Sequence, residues 1–409
     1  MSTKHLYERG RDEALQNRVL TSRGWVSLLV LFASFLLFDG FYVAALDSSQ
    51  HHKPLAINES RQESICPPTV SYGETIQCSI DVPGEVDAYG FSANAGDVIL
   101  ARMSANQCCN YREIGLYEPG GGLIVTELGY TRVEITQTLS APGDYTLTTG
   151  FEGGSGGSLT GEYELHLQRL NGPGNAAPIA YGQTITGTVD LAAEYEAHSF
   201  SADGGDVILA RMSSGQCCNG REIRLHGPSG ALMISNVGYT RVEITQTISS
   251  PGNYTLLTGF EGGSGGSLTG EYELHLQRLN GPGNAVPIAH GQTIPGVIDY
   301  AAEFDAYSFS ANAGDEISAR MSSSQCCNRR EIRLYGSEGE LLASELDYAS
   351  VEMTHSFSTT GNYSLLVSFN GGSGGSLTGN YDLSLTCLVL PCGAQPVHKI
   401  HLPLICHEH

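Results

Sequence analysis

The stretch Gly96–Ile114, GDVILARMSANQCCNYREI, returns as Gly205–Ile223, GDVILARMSSGQCCNGREI, and again as Gly314–Ile332, GDEISARMSSSQCCNRREI. Each return comes 109 residues after the last. A solenoid unit is only about 20–50 residues long, so a period of this length means whole domains in tandem. Copy two shows the local pattern best: YGQTITGTV, EYEAHSFSA, DVILARMSS, EIRLHG, ALMISNV, YTRVEITQTI, NYTLLTGF and EYELHLQRL follow one another. Most are separated by turn signals such as Gly204-Gly205 and Pro251-Gly252. Seven or eight short alternating segments without a helical period predict an all-β fold: three tandem jelly-roll-like antiparallel β-sandwich domains, preceded by an N-terminal hydrophobic segment.

Comparing the copies predicts which face is core. Ile99, Ala101 and Met103 stay apolar as Ile317, Ala319 and Met321, whereas Val98 and Leu100 become Glu316 and Ser318. Alternate side chains leave a strand on opposite faces. The tolerant face, with Arg102, Arg211 and Arg320, is therefore expected outward, and His166 and His275 on YELHLQRL are expected to be solvated. Val98, Leu100, Val207 and Leu209 on that face suggest contact with a neighbouring module. The links Asn171–Asn175 and Asn280–Asn284 are short and contain proline, which predicts a semi-rigid array.

The domain reading runs as follows. Residues 1–24 form a basic N-terminal region, and 25–46 a signal peptide or transmembrane anchor. Residues 47–65 form a linker. The three repeats occupy 66–173, 174–282 and 283–396, and a His-rich tail occupies 397–409. The apolar run WVSLLVLFASFLLF, Trp25–Phe38, fits a signal-peptide core, and Val43-Ala44-Ala45 offers a cleavage site. Continued to Leu46, the run reaches the length of a signal anchor. Either reading places the repeats outside the membrane, secreted or attached at the cell surface. The chain of 409 residues carries 43 acidic against 21 basic residues, a net charge of −22. That balance repels nucleic acid and favours cations such as calcium. Eleven cysteines together with an export signal indicate an oxidising compartment.

The order G-x-T-x-x-G, then Asp305–Asp315 (DAYSFSANAGD), Ile332–Gly336 (IRLYG), Gly361–Leu365 (GNYSL) and Tyr381–Leu385 (YDLSL) resembles the bacterial pre-peptidase C-terminal (PPC) domain. The resemblance extends from residue 66 to about 390, three times over. It implies a jelly-roll β-sandwich attached to exported proteins, some of which bind polymers or calcium. This chain departs from the family pattern in having no peptidase domain and in its Gln-Cys-Cys-Asn insertion.

That insertion supplies the candidate ligand-binding residues: Cys108, Cys109 and Arg112, then Cys217, Cys218 and Arg221, then Cys326, Cys327 and Arg330. Neighbouring Cα atoms lie only about 3.8 Å apart, so a ring between adjacent cysteines requires backbone strain. A closed ring forms a stiff apolar platform. The alternatives are bridges to other modules or chains, or thiols available to a soft metal. At the ends of the array, Cys66 with Cys78 and Cys387 with Cys392 are the candidate disulfides, leaving Cys406 over. The carboxylates Glu85 and Asp87, Glu194 and Glu196, and Glu303 and Asp305 form a weak candidate metal set, with calcium the one cofactor considered. Asp97, Asp206 and Asp315 read as turn caps.

Gly-Gly-Ser-Gly-Gly around Ser155, Ser264 and Ser373 matches a hydrolase elbow only formally, since it leads into a strand rather than a helix. No nucleophile, base or metal motif assembles. The expected function is non-enzymatic binding or adhesion to a polysaccharide or cell-envelope component. Two alternatives are a structural stalk and an accessory module of a secreted hydrolase system. The membrane is a partner only if the N-terminal segment is retained.

Overall fold

In a computed structural model of the chain, the residues described are 66–105, 111–152, 159–215, 220–261, 268–325, 327–348, 350–371, 377–389 and 392. The chain divides into two compact units, Met1–Arg61 and Gln62–His409, and every described residue belongs to the second. The expectations for the N-terminal segment, the linker, the serine loops, Cys406 and the His-rich tail all fall outside the described residues. Among these residues no helix is long and apolar enough to cross a membrane.

The described residues are all-β, as the alternating segments predict. The first eight strands are β1 (Glu74–Ile80), β2 (Val86–Ala93), β3 (Val98–Ser104), β4 (Tyr111–Tyr117), β5 (Leu123–Gly129), β6 (Arg132–Thr138), β7 (Gly143–Glu152) and β8 (Gly161–Arg169). They form two antiparallel four-stranded sheets, in the orders β1-β8-β3-β6 and β2-β7-β4-β5. The same two orders recur in both later repeats, where a two-residue strand (Ala177–Pro178, then Val286–Pro287) adds parallel to one sheet. The turn entering β3 shows why the sequence breaks where it does. Gly96 has φ +88°, in the left-handed region that glycine tolerates, and Asp97 accepts the Asn94 amide through its carboxylate at 2.9 Å. Asp206 and Asp315 cap the equivalent turns, as read from the sequence.

Between the two sheets of each pair lies one apolar cluster. Ile99, Ala101 and Met103 on β3 face Ile114, Leu116 and Leu147 of the opposite sheet, all fully buried. Fully burying one such large aliphatic side chain contributes about 1.5–3 kcal/mol. Equivalent clusters form around Ile208, Ala210 and Met212 and around Ile317, Ala319 and Met321. Both end staples form: Cys66–Cys78 and Cys387–Cys392, each with Cα atoms 5.6 Å apart.

The outward face of β3 departs from expectation. Arg102 and Arg211 are 2% and 0% exposed, and His166 and His275 are fully buried. The cause is the next module, which covers that face. Val98, Leu100 and Leu170 pack with Tyr195, Ala197 and Leu257. Leu209 and Leu279 pack likewise with Phe304, Ala306, Tyr335 and Leu366. In the third copy Arg320 keeps the expected exposure. The connecting asparagines are bolted down. Asn171 accepts the Val98 amide at 2.8 Å and donates to the Gly96 carbonyl at 2.9 Å, and Asn280 repeats both bonds on Val207 and Gly205.

Candidate functional site

Two constellations recur at fixed positions. The first is a buried polar junction between successive sheet pairs. At the first junction the Arg102 guanidinium lies 3.9 Å from the Tyr195 ring centroid, donates to Glu261 at 3.0 Å, and sits 3.6 Å from both Glu134 and Glu222. Arg224 reaches back across the boundary to donate to Glu134 at 2.6 Å, and along its own strand it donates to Glu222 at 2.7 Å. Arg132 pairs with Glu261 and donates to the Phe260 carbonyl.

At the second junction Arg211 lies 3.4 Å from the Phe304 ring centroid and donates to Glu243 at 2.7 Å, Ser368 at 3.1 Å and Glu331 at 3.3 Å. Arg333 donates to Glu243 and Glu331. Burial works against the charge on Glu243, but Arg211 and Arg333 outweigh it and hold the carboxyl at about 2. Burial draws Arg211 down to about 10, so it remains a cation at neutral pH. Desolvated charges are tolerable here because each carboxylate meets two or more guanidinium donors and an aromatic face closes the stack. His166 and His275 line the same junctions, hydrogen-bonded to Thr75 at 2.7 Å and Thr184 at 2.8 Å. Burial, reinforced by Arg102 or Arg211, pushes each imidazole down to about 3, so both are neutral at physiological pH.

The second constellation is at the base of the Gln-Cys-Cys-Asn loop. Cys108, Cys109, Cys217, Cys218 and Cys326 lie outside the described residues. Cys327 has φ +72°, a left-handed backbone that few side-chain-bearing residues adopt. The arginines expected beside the cysteines, Arg112, Arg221 and Arg330, are 1–2% exposed, so they are not available as a contact surface. Their terminal nitrogens donate to backbone carbonyls. Arg112 donates to the Tyr130 and Ala105 carbonyls, Arg221 to those of Tyr239 and Ser214, and Arg330 to those of Ser323, Gln325 and Asn328. In the first two copies one buried guanidinium thus ties the start of the cysteine loop to the turn carrying an exposed tyrosine. Tyr130, Tyr239 and Tyr348 are 51%, 65% and 52% exposed, at equivalent positions.

The candidate metal carboxylates do other work. Glu85 accepts the amides of Asp81 and Val82, Glu194 those of Asp190 and Leu191, and Glu303 those of Asp299 and Tyr300. Asp87 and Asp305 accept the phenols of Tyr163 and Tyr381. Burial raises Glu196, and so does the charge of Glu194 beside it. Among the described residues, only Cys66, Cys78 and Asp87 bring three potential ligand atoms together, and both sulfurs are already in a disulfide.

No family model matches the chain, and no curated protein matches it. Solved structures give faint likenesses. The PBSX exported protein XepA is 10% identical over 51% of this chain and 89% of its own, with a TM-score of 0.17. The CUB1-EGF-CUB2 segment of human MASP-1/3 is 10% identical over 49% and 99%, also at 0.17. Dimeric latent PorU from Porphyromonas gingivalis is 12% identical over 75% and 33%, at 0.16.

The junction residues Tyr195, Phe304, Glu222, Glu331, Arg224 and Arg333 were not among the residues singled out by motif. A signal for them exists in the copies themselves. Tyr195 and Phe304 stand where copy one has Val86, and Arg224 and Arg333 where it has Gly115. On the opposite face His166 and His275 become Ser384, and Arg132 and Arg241 become Ser350. Positions that change only in the first or only in the last copy mark a head-to-tail contact.

Proposed function

We propose that the chain is an exported, non-enzymatic array of three jelly-roll β-sandwich modules of the PPC-like kind, serving adhesion to or binding of a polysaccharide or cell-envelope component. The eight-strand, two-sheet order repeated three times supports the jelly-roll reading. The apolar N-terminal run and the two end disulfides support export. The observation that carries the binding reading is the exposed tyrosine at one position per module, whose carbonyl in the first two copies is held by a buried arginine that also bonds Ala105 or Ser214. An exposed aromatic face suits the stacking of a sugar ring, and three weak sites on a stiff frame add by avidity. The test is binding of the whole secreted protein to immobilised envelope polysaccharide. Saturable binding that falls about tenfold or more on each Tyr→Ala replacement, by loss of avidity, supports the reading. Binding unchanged in the triple tyrosine variant refutes it.

The junctions favour a second reading, a ligand-free stalk. Their buried charge network and stacked aromatic groups resist bending between modules. Small-angle scattering that fits one rigid particle, together with no saturable binding, would select the stalk.

A further inference from the structure

The two junctions are built alike but do not balance alike. At the first, Arg102, Arg132 and Arg224 meet three carboxylates, Glu134, Glu222 and Glu261. At the second, Arg211, Arg241 and Arg333 meet two, Glu243 and Glu331, because Asn370 stands where Glu261 stands. Ser368 fills part of the gap by taking one donor of Arg211, but a hydroxyl carries no charge. The unmatched cation is Arg241. One of its terminal nitrogens donates to the Phe369 carbonyl at 2.9 Å. The other, Nη1, is buried without a partner among the described residues. Arg132 shows what is missing, since its guanidinium has both the Phe260 carbonyl and the Glu261 carboxylate. A buried guanidinium nitrogen without an acceptor is costly, and the cost is greatest where the net charge is also unbalanced.

We propose that the second junction binds a small monovalent anion, a halide or a free short carboxylate, in the place that the Glu261 carboxylate holds at the first. The anion accepts from Arg241 Nη1 and neutralises the surplus charge shared with Arg211 and Arg333. The space taken by such an ion is modest. At the first junction, Arg102, Arg132, Val133, Glu134, Arg224 and Glu261 already bound a recess of about 220 Å³. Burial pushes Arg241 down, the carboxylates of Glu331 and Glu243 oppose that push in part, and Arg333 adds a smaller push of its own, so a further anion at Nη1 would favour the cation. The proposal concerns the junction alone and does not depend on what the exposed loops bind.

The test uses the full-length protein. Crystals grown in sodium bromide should show an anomalous peak beside Arg241 and none beside Arg132. In solution, raising chloride from about 1 mM to about 100 mM at constant ionic strength, with a bulky sulfonate as the balancing anion, should raise the melting temperature by about 2–4 °C. Asn370→Glu should abolish both the peak and the chloride response, while Glu261→Asn should create a peak at the first junction. A response to acetate in place of chloride would assign the site to carboxylates. No peak beside Arg241, or a chloride response that survives Asn370→Glu, overturns the proposal.

Discussion

Acid should open the junctions before it unfolds the sheets, and the buried histidines set the pH at which it does so. His166 and His275 have folded values of about 3 against an ordinary 6.5. Their folded values are depressed, so the unfolded chain takes up protons first as the pH drops. The stability these neutral imidazoles allow is therefore complete above about pH 6.5 and is lost progressively down to about pH 3. One pKa unit corresponds to about 1.36 kcal/mol, so each histidine costs about 2 kcal/mol by pH 5. Asp305 acts in the opposite sense. Burial, against a hydrogen bond from Tyr381, lifts it from 3.8 to about 6, so its protonation stabilises the fold as the pH falls through that value. The raw pH profile mixes these terms, and the useful quantity is the difference between wild type and variant. His275→Gln keeps a hydrogen-bonding side chain beside Thr184 but cannot titrate. Urea unfolding followed at several pH values between 7 and 5 should show the wild type losing about 2 kcal/mol more than the variant over that interval. Equal slopes in the two proteins would refute the assignment of His275 as a buried neutral base.

Other outcomes follow from the same contacts. Gly230 and Gly339 sit at φ +83° and +82°, and an added Cβ would lie 2.7 and 2.8 Å from the Cβ atoms of Val98 and Val207 across the two junctions. Gly121 has the same φ of +83° and open space around it. Gly121→Ala should therefore cost only the left-handed strain of about 1–2 kcal/mol, whereas Gly230→Ala and Gly339→Ala should cost more and increase scattering-derived flexibility. Phe304→Ala removes the ring beneath Arg211 and Arg333 and should destabilise by about 3–5 kcal/mol in chemical denaturation. Replacing both Cys66 and Cys78 by serine should lower the stability of the first module by about 2–4 kcal/mol and leave the third unchanged, as read by calorimetry.

Much of the fold was legible because strand alternation is a local property. Ile99, Ala101 and Met103 were assigned to the core from two copies of one segment, and all three are fully buried. The end disulfides followed from position, since those cysteines have no equivalents within the array. What failed was the inference that a tolerant face is an exposed face. Arg102 and His166 are polar and sit opposite the core residues of their sheet, and on that face Leu100 and His166 give way to Ser318 and Ser384 in the third copy, which is how solvent-facing residues behave. In the first two copies that face is covered by the copy that follows, so there its residues are held by packing. Arg112 misled in another way. A cation beside cysteines suggests thiolate chemistry, but its five donors suit the unpaired carbonyls of a tight loop just as well, and only the geometry decides between them.

The asymmetry of the junction also governs how such a chain can change in length. Copy one lacks the receiving ring and arginine, with Val86 and Gly115 in their places, and copy three lacks the projecting leucine, histidine and second arginine, with Ser318, Ser384 and Ser350. Copy two alone carries both halves, Tyr195, Arg224 and Leu257 on one side and Leu209, Arg211, Arg241 and His275 on the other. Placed after itself, it would meet its own complement, including Glu261 for Arg241. A duplicate of either terminal copy would set a valine against arginine or a serine against phenylalanine. Longer versions of this protein should therefore grow from the inside, by copying the middle repeat, while the first and last stay single.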